Sequence, residues 1–233
     1  MENILNIEEF PDILNKLPYD TNWIKNQIRS NTLKFYPKLD VAEHGITEKH
    51  ENDNGKYSFV SIFYNFIYHN KKIPNQEEFY NKVHKTFLDD KKYSSLQCKN
   101  GFIEGFKGRA YRTYPSLVRD FYLNKLFLES GYNVIYSLKL DLFYGIDTLL
   151  IINNKYYGVG MFVDTADGRQ KRENKIAKLK KDNRIFNNVE YIDLPIIKDG
   201  HCETVGGIWL YTQYHIEKLM EIVKPVLNSV DIS

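Results

Sequence analysis

A chain of 233 residues with 42% hydrophobic and 15% aromatic residues can bury a core without metal or disulfide staples, which excludes a disordered class. Its net charge of +2 conceals an asymmetry: residues 168–184 hold eight Lys/Arg against two acids, and residues 101–125 hold five against two, so the remainder is acidic. No apolar run reaches membrane-spanning length, Met1–Ile4 lacks a basic n-region, and Cys98 and Cys202 lack CxxC spacing, so a reduced, cytoplasmic protein off the membrane is expected.

Residues 1–105 read as a mainly helical accessory region. Short helices are expected around Ile4–Leu17 and Thr21–Ser30, the second capped by Asp20 or Thr21, and a charged turn at Glu48–Gly55. Phe59, Ile62, Phe63, Phe66 and Ile67 recur at helical spacing. After a turn at Lys72–Pro74, Asn75 caps a second helix with Phe79, Val83 and Phe87 at i, i+4 and i+8. The pair is compatible with a DNA-reading helix-turn-helix and with an ordinary helical hairpin. Residues 89–108 read as a polar linker.

Residues 106–233 are expected to form an α/β domain. Ser116 caps a helix from Leu117 to about Glu129, and Gly131 stops it. Three strands follow over Asn133–Asp141, Asp147–Ile152 and Tyr156–Val163, the last two joined by a turn at Asn153–Lys155. A basic helix over Gly168–Asn183, strands at Val189–Leu194 and Gly207–Tyr211, and a final helix with Ile216, Leu219, Met220 and Val223 on one stripe complete the order. That order predicts a mixed central sheet flanked by helices.

Gly145-Ile146-Asp147 opens an apolar strand, which sets the Asp147 carboxylate at a sheet edge. A carboxylate there can hold Mg²⁺, which needs only one or two protein oxygens and can activate water against a phosphate. The bland alternative is a strand-end Asp capping a turn. Helix, strand, Asp-opened strand, hairpin partner and basic helix together resemble the core of the PD-(D/E)XK nuclease superfamily, the restriction-endonuclease-like fold. The similarity covers about residues 109–211.

The resemblance implies that Asp147 is the first acidic residue of the motif and that the next strand carries Glu/Asp-x-Lys. The strand instead reads Gly158-Val159-Gly160-Met161-Phe162-Val163, with neither acid nor Lys. In this superfamily lost groups can be supplied from neighbouring elements, and members with inactive sites exist. Asp164, at the strand's end, and Lys175 on the basic helix are therefore expected to complete a catalytic set with Asp147. Asp141 or Glu129 would add an oxygen to the Mg²⁺.

On the basic helix, Arg169, Arg172, Lys175 and Lys178 recur at about three-residue spacing and suit phosphate contacts; the alternative is a solvated surface helix. Arg109 and Arg112, interleaved with Tyr111 and Tyr114 ahead of the Ser116 cap, and Arg119 just beyond it suit phosphate and base stacking; the alternative is that Arg119 and Asp120 form an ordinary polar face and the tyrosines are core. The six His show no HxH or HExxH spacing, and neither a P-loop nor a GxSxG elbow occurs. The expectation is a DNA-binding, nuclease-like protein cleaving phosphodiesters with Mg²⁺, of a restriction or mobile-element system. A catalytically inactive nucleic-acid-binding subunit on the same fold is the alternative, and a module whose basic helix binds an acidic protein partner is a third. A protein partner or a homodimer is compatible with each.

Overall fold

Side-chain caps and a side-chain-satisfied proline decide where the helices of the computed structural model begin and run on. It describes residues 3–13, 16–34, 58–88, 101–198 and 200–228. The expected turn at 48–55, His44, His50, Cys98 and residues 89–100 of the expected linker lie outside the described residues. The chain is mixed α/β and divides into two compact units, one of Asn15–Phe121 with Val205–Ile208, the other of Met1–Leu14, Tyr122–Thr204 and Trp209–Ser233. The division expected at 105/106 falls inside a helix.

In the first of these units, α1 (Thr21–Ile28) is N-capped by Asp20, which accepts from the Trp23 amide at 2.6 Å. Two aromatic helices follow, α2 (Phe59–Asn70) and α3 (Gln76–Leu88). Asn75 accepts from the Glu78 amide at 2.9 Å, and Glu78 accepts from the Asn75 amide at 3.0 Å, a reciprocal capping box. Asn75→Ala should cost about 1 kcal/mol, seen as a melting temperature lowered by roughly 2–4 °C. The expected α3 stripe of Phe79, Val83 and Phe87 is buried, with Phe59 edge-on to Phe79 at 5.9 Å. That apolar face is spent on core.

The next helix, α4, runs unbroken over Phe102–Glu129, where a linker to residue 108 and a helix starting at Leu117 were expected. Pro115 lies inside it. A proline lacks the N–H that would bond the carbonyl four residues back. That carbonyl, on Tyr111, instead accepts from the buried Gln76 amide at 3.0 Å, so a side chain from α3 takes over the missing bond. Ser116 is therefore mid-helix and caps nothing.

In the other unit, β1 (Asn133–Ile135), β2 (Thr148–Ile152) and β3 (Lys155–Val163) are antiparallel neighbours, and β4 (Val189–Ile196) lies parallel to β3, in the order β1-β2-β3-β4. Asn153 and Asn154 take φ of +49° and +60° in the β2–β3 hairpin, as a tight primed turn demands. The parallel β3–β4 step needs a crossover, supplied by α6 (Ala166–Lys181).

The strand expected over 133–141 is only three residues long. From Leu138 the chain turns into a short helix, α5 (Leu138–Tyr144), closed by Gly145. Gly145 has φ +66° and donates its N–H to Leu140 and Asp141, a left-handed cap. This reversal returns the chain to β2.

The helix expected over Ile4–Leu17 is reduced to a 3₁₀ turn at Ile7–Glu9. The segment docks on the sheet-containing unit: the Leu5 amide donates to Asn188 at 2.7 Å, and Phe10 sits edge-on to Tyr144 and Phe186. Leu5 and Phe10 join Leu140, Ile146, Leu149, Phe186 and Val189 in one core cluster. A short strand β5 (Glu203–Val205), not expected, pairs with β6 (Ile208–Leu210). The final helix α7 (Gln213–Asn228) buries the expected stripe of Ile216, Leu219, Met220 and Val223.

Candidate functional site

Asp147 follows the Gly145 reversal and stands just before the Thr148–Val159 pair that opens the β2–β3 ladder. Its amide donates to the Val159 carbonyl at 2.9 Å, and its Oδ2 accepts from the Met161 amide at 2.6 Å. The carboxylate is thus held by backbone at a strand end, with its side chain 13% exposed. Asp141, on α5, is folded back onto the same corner, because the left-handed cap reverses the chain between them.

Lys175 reaches both acids from α6, with Nζ 3.5 Å from Asp147 Oδ1 and 3.9 Å from Asp141 Oδ1. Gly145 makes this approach close: a β carbon there would fall 3.0 Å from Lys175 Cε and 2.7 Å from Leu179 Cδ1. Tyr136 donates its hydroxyl to Asp141 Oδ2 at 3.0 Å.

Burial first, and then the neighbouring Asp147 charge, push the Asp141 carboxyl up to about 7, while Lys175 and Tyr136 pull the other way. Burial works against the charge on Lys175, but Asp147 and then Asp141 outweigh it, so its pKa stands above the ordinary lysine value. The corner is a carboxylate pair bridged by an ammonium, with the Asp141 carboxyl held well above the ordinary carboxylate range.

The other expected site residues take separate places. Asp164 accepts from Nε of Arg169 at the end of β3, while most of the Arg169 side chain stays exposed. Lys171 pairs with Asp167 at 2.7 Å. Arg172 turns inward: its side chain is 6% exposed, and Nε donates to Asp193 at 2.7 Å. Lys178 faces solvent beside Lys180 and Lys181. Glu129 and Asp12 act on the buried Lys125, whose pKa burial lowers; the groups acting on Asp141 are Asp147, Lys175 and Tyr136.

Arg109, Arg112 and Arg119 lie along α4, in the unit without the aspartate corner, and not ahead of a helix N-terminus. Arg109 sits over the Phe59 ring at 5.8 Å, burial lowers the Arg112 pKa, and Arg119 is buried. Tyr111 and Tyr114, expected to stack on bases, are core residues.

Sequence reasoning missed Tyr136, Asp193 and the enclosure of Arg172. Asp193 sits at an outward position of an alternating strand, which carries no signal of an ionic partner on a distant helix.

A Mg²⁺ ion takes one or two carboxylates and fills its other positions with water and phosphate. Asp141 and Asp147 fit that demand in chemistry and place. Among the described residues, no group of three or more His, Cys, Asp or Glu gathers as a denser metal site. Nor is any helix among them long and apolar enough to cross a membrane. Comparison of the chain with family models, with curated proteins and with solved structures finds no match.

Proposed function

We propose that this is a cytoplasmic nucleic-acid-binding protein on a restriction-endonuclease-like fold, and that the Asp141–Asp147–Lys175 corner hydrolyses phosphodiesters with Mg²⁺. The observation that carries this reading is the strand-edge Asp147 with Lys175 at 3.5 Å and Asp141 beside them. The element order supports it: a long helix, three antiparallel strands, a crossover helix and a parallel fourth strand.

Asp147 and Asp141 would hold the ion, which when bound supplies a polarised phosphate and a more acidic water. The Met161 amide orients Asp147 for this task. Lys175, 40% exposed on its side chain, offers positive charge to a phosphate oxygen that approaches the corner. Asp141 would hold the ion only as the carboxylate, so its raised pKa sets a proton in competition with the ion. Lys178, Lys180 and Lys181 form the solvent-facing cationic end of α6 and would meet the backbone of the nucleic acid.

One observation favours the non-catalytic reading on the same fold. Strand β3 carries no acid and no Lys beside Asp147, while Arg169 and Lys171 stay largely exposed on α6.

Labelled single- and double-stranded DNA and RNA, incubated with Mg²⁺, Mn²⁺ or EDTA, decide between the readings. Cleavage is expected with either cation and none in EDTA. Salt-sensitive binding without cleavage selects the second reading. No binding at low salt sinks both. Replacing Lys178, Lys180 and Lys181 together by Ala should flatten the salt dependence, by up to about 0.9 in slope per lost phosphate contact.

A further inference from the structure

We infer that Arg172 is the positioning residue of Asp147, and that residue 160 is a glycine in order to admit its guanidinium. The assignment of a task to Asp147 rests on the proposed function; the positioning itself does not.

The β2–β3 ladder ends at the Thr148–Val159 pair, and just before it Asp147 bonds the Val159 carbonyl through its amide and the Met161 amide through its carboxylate, one on each side of Gly160. On the other side, Gly160 pairs in register with Asp193 of β4. Directly opposed residues project from the same face of a sheet. Gly160 and Asp193 therefore share the face that Arg172 covers, and Asp147 meets the same helix through Lys175.

The guanidinium of Arg172 occupies the place of a side chain on residue 160. A β carbon on residue 160 would lie 2.1 Å from Arg172 Cζ and Nη2, and 2.6 Å from Nη1. Nε donates to Asp193 at 2.7 Å, and Nη1 donates at 3.1 Å to the carbonyl of Gly145, the residue that closes α5 two positions before Asp147. One rigid planar fork thus ties β4, the surface of β3 and the loop that delivers Asp147.

Nη2 has no hydrogen-bond partner although the side chain is buried. A buried donor left unpaired costs about 1–3 kcal/mol. A chain selected for stability alone would place an apolar side chain over Gly160. Lysine could not replace the fork, because its single ammonium cannot reach Asp193 and the Gly145 carbonyl in one plane. Exposure excludes a direct phosphate contact: the residue expected from sequence to bind nucleic acid is enclosed.

The Met161 amide reports on the Asp147 carboxylate directly, and so provides the readout. Arg172→Lys and Arg172→Met are compared with wild-type protein by residue-resolved amide hydrogen exchange. Exchange at Met161 should quicken at least about tenfold relative to the interior ladder amides of Leu149 and Leu150. Gly160→Ala should give the same signature. Should a variant fail to fold, Asp193→Ala removes only the Nε acceptor at a half-exposed position and should show the same local effect, weaker.

Uniform quickening of the whole sheet would reduce Arg172 to a structural residue and overturn the inference. So would wild-type exchange at Met161 in Arg172→Lys, since charge alone would then suffice. Mn²⁺ binding to wild-type protein, followed by electron paramagnetic resonance, tests the metal reading separately. Absent Mn²⁺ binding with local quickening at Met161 fells the metal and leaves the positioning role intact.

Discussion

Replacing Asp147 by Asn is expected to lower Mg²⁺-dependent cleavage at least about a hundredfold while leaving the fold in place. The isosteric change separates two jobs of this side chain. One is structural: Oδ2 accepts from the Met161 amide at 2.6 Å, and an Asn carbonyl oxygen can still do so. The other is electrostatic, and only the charge is lost. Without it Lys175 loses its nearest counter-charge, and the acid that lifts Asp141 after burial itself is gone, so the Asp141 pKa comes down from about 7. Asp147→Ala confounds the two jobs, because it strands the Met161 N–H at a cost of about 1–3 kcal/mol. Asp164→Asn is the companion control. Its carboxylate is occupied by Arg169 just past the C-terminal end of β3, so the rate should stay within a few-fold of wild type. Circular dichroism fixes the fold, and cleavage of labelled DNA fixes the rate. An Asp147→Asn protein that folds and cleaves normally would remove Asp147 from the site.

The legible parts of this molecule were those governed by neighbours in the chain. The β2–β3 hairpin follows from an apolar run, an Asn-Asn turn and a second run, and α6 from its basic run, although Thr165 caps it and it begins at Ala166, two residues ahead of the expected start. Asp147 and Lys175 were placed together on the family resemblance, in which a neighbouring element can supply the Lys that the strand lacks.

The illegible parts depend on partners far along the chain. Residues 133–141 alternate imperfectly and suit a strand or a strand followed by a helical turn. What decides is Gly145, which reads as a strand opener but acts as a helix stop. Pro115 reads as a break after a linker; Gln76, thirty-nine residues earlier, makes the continuous helix tolerable by bonding Tyr111. Arg172 reads as one of a row of surface cations. Its burial needs a glycine on β3 and an acid on β4 at the same register, and neither is adjacent to it in sequence.

Asp141→Asn is expected to make the protein more stable than wild type at pH 8 and no more stable at pH 4. The folded pKa of Asp141 is pushed up to about 7 by burial and by Asp147, while in the unfolded chain it sits near the ordinary carboxylate value of about 3.9. Below that lower value both states hold the proton, and the group contributes no pH dependence. Between the two values the native state binds the proton that the unfolded state has lost. Stability therefore falls as pH rises, since the slope follows protons bound unfolded minus protons bound native. Above about pH 7 the full penalty is present, on the order of a few kcal/mol, enough to move the melting temperature by roughly 5–10 °C in a chain of this size. Lys175 keeps its charge throughout this window, and Tyr136 can donate to the Asn oxygen as it does to the acid, so neither should add a slope of its own. The measurement is the difference in melting temperature between variant and wild type from pH 4 to 8.5 in EDTA, which cancels the titration of every other group. A difference that stays flat across that range would mean that Asp141 is ionised well below neutrality, and that the corner holds two ordinary carboxylates instead of one held well above the ordinary range.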